Sequence, residues 1–255
     1  MHTTMLDVPT PSGTADAFLA RPDEGTHPGV LLCMDAFGLR RRIFEMAERI
    51  ASHGYVVLAP NLFHRFGRAP LVDVPDPMTP EARAAAISAV LPMLASMTPD
   101  VAMPEAAAYL DALEADPHRA GPVGVVGYCM GGTFAMQVAG RLPDRVAAVA
   151  TFHAGHLVMP DPDSPHRQVD AITAELYLGH AEDDPSIPAE DIAALEAALD
   201  AAGATYTSEV HRGAAHGFTM ADTPSHHPEA EARHWDRLLD LFDRRLHGTV
   251  EAPGR

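Results

Sequence analysis

The chain of 255 residues contains no lysine: all 18 of its basic residues are arginine, set against 35 acidic ones. The formal charge of -17 repels the phosphates of nucleic acid and the headgroups of an anionic membrane, so neither is an expected partner. It also gives an anionic substrate no long-range help. Cysteine is scarce, with Cys33 and Cys129 alone. Two thiols make no disulfide framework, and a nucleophilic thiol survives best in a reducing compartment, which predicts a cytoplasmic protein. No apolar run approaches the roughly 20 residues of a membrane span. Residues 1–9 lack the basic region and apolar core of a signal peptide. The histidines at 226–227 and at 153 and 156 lack the His-x-x-x-His spacing or the carboxylates of a metal site, so no metal or other cofactor is expected.

What is present is a 47% hydrophobic chain with a mean hydropathy of -0.05, the composition of a soluble globular protein. The length suits one domain over 1–255. Apolar runs at 30–34 and 55–59 read as buried strands, and 4–8, 15–20, 123–126, 146–152, 176–178 and 205–210 as further strands. Helical patterns lie between them at 41–53, 81–97, 100–115, 133–140, 188–202 and 228–247. Pro92 is expected to kink or break the helix over 81–97. The proline-rich text from 60 to 80 predicts a surface excursion near the substrate pocket. This alternation specifies a mostly parallel α/β sheet with helices on both faces.

The densest chemistry lies in Gly127-Tyr128-Cys129-Met130-Gly131-Gly132. A β-branched strand runs into a glycine corner, and a helical pattern leaves it. A cysteine in Gly-x-Cys-x-Gly there has the frame of an α/β-hydrolase nucleophile elbow, with sulfur in place of the usual serine oxygen. Such a nucleophile sits in strained backbone, so its neighbours two residues away must lack side chains for strand and helix to pass. The helix N-terminus at the thiol favours thiolate. A buried cysteine at an ordinary turn is the plainer reading, and three glycines in register argue against it. On this fold the acid and then the base follow the nucleophile in the chain. Asp183 or Asp184 supplies the acid after the strand at 176–178, and His216, between Ala215 and Gly217, supplies the base after the next strand.

Met34-Asp35-Ala36-Phe37-Gly38, the cysteine corner, Glu182-Asp183-Asp184-Pro185 and Ala215-His216-Gly217-Phe218 together resemble the dienelactone hydrolase (carboxymethylenebutenolidase) family. The likeness runs from about Val30 to the last helix. It implies a single-domain α/β-hydrolase fold and a cofactor-independent hydrolase of a small ester or lactone. The implied triad is Cys129, Asp184 and His216, with Asp184 preferred because the family's acid directly precedes the proline-like position. The backbone N–H groups of Ala36 and Met130 would form the oxyanion hole. Asp35, in place of a family glutamate, would touch the resting thiol, with a cap or turn role as the alternative. Phe37, Arg83, Tyr128, His153, Phe218 and Met220 are candidates for binding substrate.

Two departures bear on the substrate. The arginine that follows the family's histidine is replaced by Met220, and a second family arginine falls near Ala85, two residues from Arg83. A neutral ester or lactone is therefore expected to serve better than an anionic one. A thioesterase or acyl transferase would use the same residues, and a member without turnover would act as a binding or interaction protein. Cys33 and Trp235 are expected to pack in the core, and the assembly to be a monomer or small homo-oligomer.

Overall fold

The strands form one sheet in the computed structural model, which describes residues 1–75 and 78–247. They are β1 (His2–Thr10), β2 (Gly13–Arg21), β3 (His27–Cys33), β4 (Val56–Pro60), β5 (Arg119–Tyr128), β6 (Ala148–Phe152), β7 (Glu175–Asp183) and β8 (Tyr206–Ala215). Their spatial order is β1-β2-β4-β3-β5-β6-β7-β8. The β1–β2 and β2–β4 pairs are antiparallel, and every later pair is parallel. This is the α/β-hydrolase arrangement. The middle strands are apolar throughout because helices cover both of their faces; Val30, Leu31, Leu32 and Cys33 are all fully buried.

The described helices are α1 (Arg41–Ser52), α2 (Pro80–Ala95), α3 (Pro99–Glu114), α4 (Met130–Arg141), α5 (Ala189–Ala202) and α6 (Pro228–Leu246). Gly29 faces Leu113 of α3, whereas Gly124, on the neighbouring strand and of opposite parity, faces Phe242 and Leu246 of α6. Those two helices therefore lie on opposite faces. α1 joins α6 through an Arg42–Glu231 ion pair and through Arg49 over the Trp235 ring at 4.2 Å. α4 joins α3 on the other face.

Two expectations meet the structure differently. Pro92 does not end α2, which runs on to Ala95. The proline lies on the exposed side, where water can satisfy the Ser88 carbonyl that it leaves without a donor. The excursion after β4 is a loop with one short 3₁₀ turn at His64–Phe66. Positions 76 and 77 of it lie outside the described residues, as do 248–255 of the expected domain. Among the described residues no single helix is long and apolar enough to cross a membrane.

Candidate active site

β5 ends at Tyr128 and α4 begins at Met130, so Cys129 alone makes the corner. Its φ of 55° and ψ of -121° lie where side-chain-bearing residues seldom go. The glycines around it are needed for close approach. A Cβ on Gly131 would overlap the carbonyl oxygens of Cys33 and Met34, and one on Gly127 would overlap the backbone of Gly131. Gly131→Ala is accordingly expected to destabilise the fold by at least about 3 kcal/mol, because backbone must move to admit the methyl. Chemical denaturation measures this, and a loss below about 1 kcal/mol would contradict the steric account.

The turn after β8 carries His216. Its Nε2 lies 3.0 Å from Cys129 Sγ, and its Nδ1 lies 2.7 Å from Asp184 Oδ2. Asp184 is 7% exposed. Its other oxygen accepts from the Ser186 amide at 3.0 Å and the Ser186 hydroxyl at 2.5 Å. Burial pushes the Asp184 carboxyl up, but the His216 and Ser186 donors outweigh it and hold the group below its ordinary value. Burial likewise pushes His216 down. Hydrogen bonds and charge at Asp184 and Cys129 win, and its pKa is raised to about 10.

Asp183 is exposed and meets His216 only through its backbone carbonyl, which accepts the His216 amide at 3.1 Å. Ser186 was not foreseen from the sequence. Its signal is Asp-x-Ser, where an aspartate accepts from the amide two residues on in an Asx turn.

Two cavities meet at this point and share Ala36, Leu94, Cys129 and His216. One, of about 350 Å³, continues along Met97, Met130, Thr133, Phe134 and Gln137. The other, of about 210 Å³, continues along Phe37, Arg83, Ile87, Val90, His153 and Met220. The Ala36 and Met130 amides have no backbone acceptor among the described residues, and both residues line the larger cavity with Cys129.

The sequence profile of the dienelactone hydrolase family matches residues 15–246. The chain belongs to that family. Family membership makes it a hydrolase of small molecules. A Yersinia pestis protein provisionally named a carboxymethylenebutenolidase is 28% identical over 99% of this chain and 91% of its own length. A Rhodococcus opacus carboxymethylenebutenolidase is 28% identical over 89% of this chain and 85% of its own. A dienelactone hydrolase-like promiscuous phosphotriesterase from metagenomic libraries superposes with a TM-score of 0.77 at 25% identity, covering 96% of this chain and all of that one.

Several expectations drawn from the family resemblance are corrected by the geometry. Asp35 makes no hydrogen bond to the thiol among the described residues, and its oxygens are taken elsewhere. Arg40 Nη1 and Nη2 grip its two oxygens at 2.5 and 3.0 Å, and the Phe37 amide donates to it at 3.1 Å. Arg40 is 7% exposed. It also donates to Asp222 from Nε at 2.7 Å and from Nη2 at 3.1 Å, and to the Gly38 carbonyl at 3.2 Å. An arginine from before α1 thus sits beside Met220, with Nη2 3.7 Å from its sulfur. Its charge is already met by two carboxylates. Arg83, exposed at the smaller cavity, makes no ion pair among the described residues.

Tyr128 and Phe218 line neither of the two cavities. Tyr128 is buried with its hydroxyl 2.9 Å from His234 Nε2, and Phe218 is buried against His153 and His211. Phe37, His153 and Met220 do line the smaller cavity. His153 is itself strained, at φ 41°. Burial drives its pKa well below the ordinary histidine value, so it stands neutral beside His216, with Nε2 bonded to the Thr219 hydroxyl at 2.8 Å. Cys33 and Trp235 pack in the core.

Proposed function

We propose that this protein hydrolyses a small, uncharged ester or lactone through Cys129, without a cofactor. The observation that carries the proposal is the continuous contact from Cys129 Sγ to His216 to Asp184, at 3.0 and 2.7 Å, at the meeting point of two cavities. The sulfur attacks the acyl carbon, and the Ala36 and Met130 amides hold the developing oxyanion. The carbon–oxygen bond to the leaving group breaks as His216 gives that oxygen its proton, leaving an acyl thioester on Cys129. Water then attacks the thioester, His216 takes its proton, and the sulfur departs with the bonding pair.

The proton affinity of His216 suits both halves. Part of what raises its pKa is Cys129 itself. Acylation removes that part, so His216 holds a proton for the leaving group first and becomes the readier base for water second.

The Rhodococcus opacus relative's name points to lactones, and ester or lactone is the class the elbow serves. The Arg40 cluster favours a neutral member of that class. One guanidinium between two carboxylates carries a net charge of -1 and has no donor left to offer. Arg83 is exposed, where an ion pair is worth only about 0–1 kcal/mol.

For a matched neutral and carboxylate-bearing lactone, kcat/KM is expected to favour the neutral one by about threefold or more at low salt. The gap should narrow as salt screens the overall charge. Arg83→Met should widen it. A preference for the anion in the unaltered protein would mean that an arginine of this site does hold a carboxylate. Profiling an ester and lactone panel, with intact-mass detection of an acyl adduct, tests the reaction itself. A panel without Cys129-dependent turnover would overturn the proposal.

A further inference from the structure

The larger cavity carries information that the reaction does not use. Beyond the thiol its walls are Leu94 and Met97 around the end of α2, and Met130 and Phe134 on α4. Its hydroxyls are already committed: Thr133 donates to the Gly155 carbonyl at 2.6 Å, and Ser186 donates to Asp184. Half-buried Gln137 and exposed His156 supply the remaining polar groups. The smaller cavity differs. Phe37, Ile87, Val90 and Met220 give it an apolar wall as well, but Asp35, whose carboxylate Arg40 holds, and Arg83 also line it. Both spaces are thus predominantly apolar, and of the two only the smaller is lined by an aspartate or an arginine.

We infer that the larger cavity is a subsite for an unbranched apolar arm of the substrate, several methylenes long, with Met97 and Leu94 as its specificity-determining residues. The inference rests on Cys129 being the reacting thiol. An arm seated there trades water for Leu94, Met97, Met130 and Phe134, and meets no unpaired buried charge. Leu94 lines both cavities and so divides them, whereas Met97 belongs to the larger one and Ile87 to the smaller one alone.

Alkyl methanethiosulfonates read this subsite without requiring turnover. The sulfur of Cys129 attacks the alkylthio sulfur, a disulfide forms, and methanesulfinate leaves with the electron pair. Labelling is followed by intact mass from methyl to n-hexyl, with glutathione as the reference for intrinsic reactivity. Cys33 is fully buried, and burial raises its thiol pKa, so Cys129→Ala should take no label.

Burial of each methylene can accelerate the reaction by at most about fourfold, and a rise of at least about tenfold from methyl to n-hexyl is expected. Met97→Glu should flatten that rise to within about threefold, and Ile87→Glu should preserve it. Met97→Trp, which fills the space without charging it, should shorten the best chain. A rate indifferent to chain length in the unaltered protein overturns the inference. So does a slope that survives Met97→Glu but is lost in Ile87→Glu.

The two proposals fail separately. Cys129-dependent ester hydrolysis with flat labelling removes the subsite and leaves the reaction. A chain-length slope without hydrolysis of any ester does the reverse.

Discussion

Cys129→Ala is expected to abolish hydrolysis, by about 10,000-fold or more, in a protein that melts within about 3 °C of the unaltered one. The size follows from the role: removing a nucleophile removes the covalent route itself. The mild effect on stability follows from the place. The thiol is half-buried at a cavity rather than in the core, and alanine meets the same strain at φ 55° that cysteine does. A second signature accompanies the loss. With the sulfur gone, His216 loses one of its two supports, so its titration by NMR should move below about 10. More than a tenth of the original activity would remove Cys129 from the mechanism. Cys129→Ser should also be poor, since a hydroxyl ionises far less readily than a thiol.

Asp184→Asn should lower kcat by about 1,000- to 10,000-fold, while Asp183→Asn stays within about threefold. The amide cannot accept the His216 Nδ1 proton as the carboxylate does, and it favours the wrong tautomer. Asp183 contributes a backbone carbonyl that the substitution leaves in place.

The pH dependence of stability supplies a further check. Asp184 has a depressed pKa, so its contribution is present above its ordinary value of 3.8 and is lost as pH falls through the folded value. His216 has a raised pKa, so its contribution is full below its ordinary 6.5 and disappears as pH rises through about 10. The stability deficit of Asp184→Asn should therefore be largest between about pH 4 and 6.5, and smaller by pH 10. Greater damage from Asp183→Asn would shift the acid by one position.

How far the sequence is legible varies by residue. The strands around β3, β5 and β6 could be placed because runs such as 30–34 are apolar on both faces, as a helix-covered parallel sheet requires. The elbow was legible because steric necessity leaves glycine no substitute at 127 and 131. The orientation of Tyr128 was not. In a strand buried on both sides, alternation does not separate the face toward α6 from the face toward the cavity.

The partner of Asp35 was equally hidden. Arg40 lies only five residues away, but it sits in a run of three arginines that composition cannot rank, and its other anchor, Asp222, is 182 positions along the chain. The division of the pocket depends on where α2 stops, and Pro92 is a misleading marker of that end.

The Arg40 cluster has a consequence for descent. Asp35 stands in the loop that follows β3, and Asp222 stands in the loop that follows His216. One side chain therefore ties together two segments that never meet in the sequence. Loss of Arg40 alone would leave the buried Asp35 without its counter-ion, a change that typically costs about 3–5 kcal/mol. Loss of Asp35 alone would deprive a buried guanidinium of its nearest carboxylate. Lineages that drift at these positions must therefore pass through a crippled intermediate or alter them together. Asp35, Arg40 and Asp222 should accordingly be inherited as a set, with a branch that discards one rebuilding the other two.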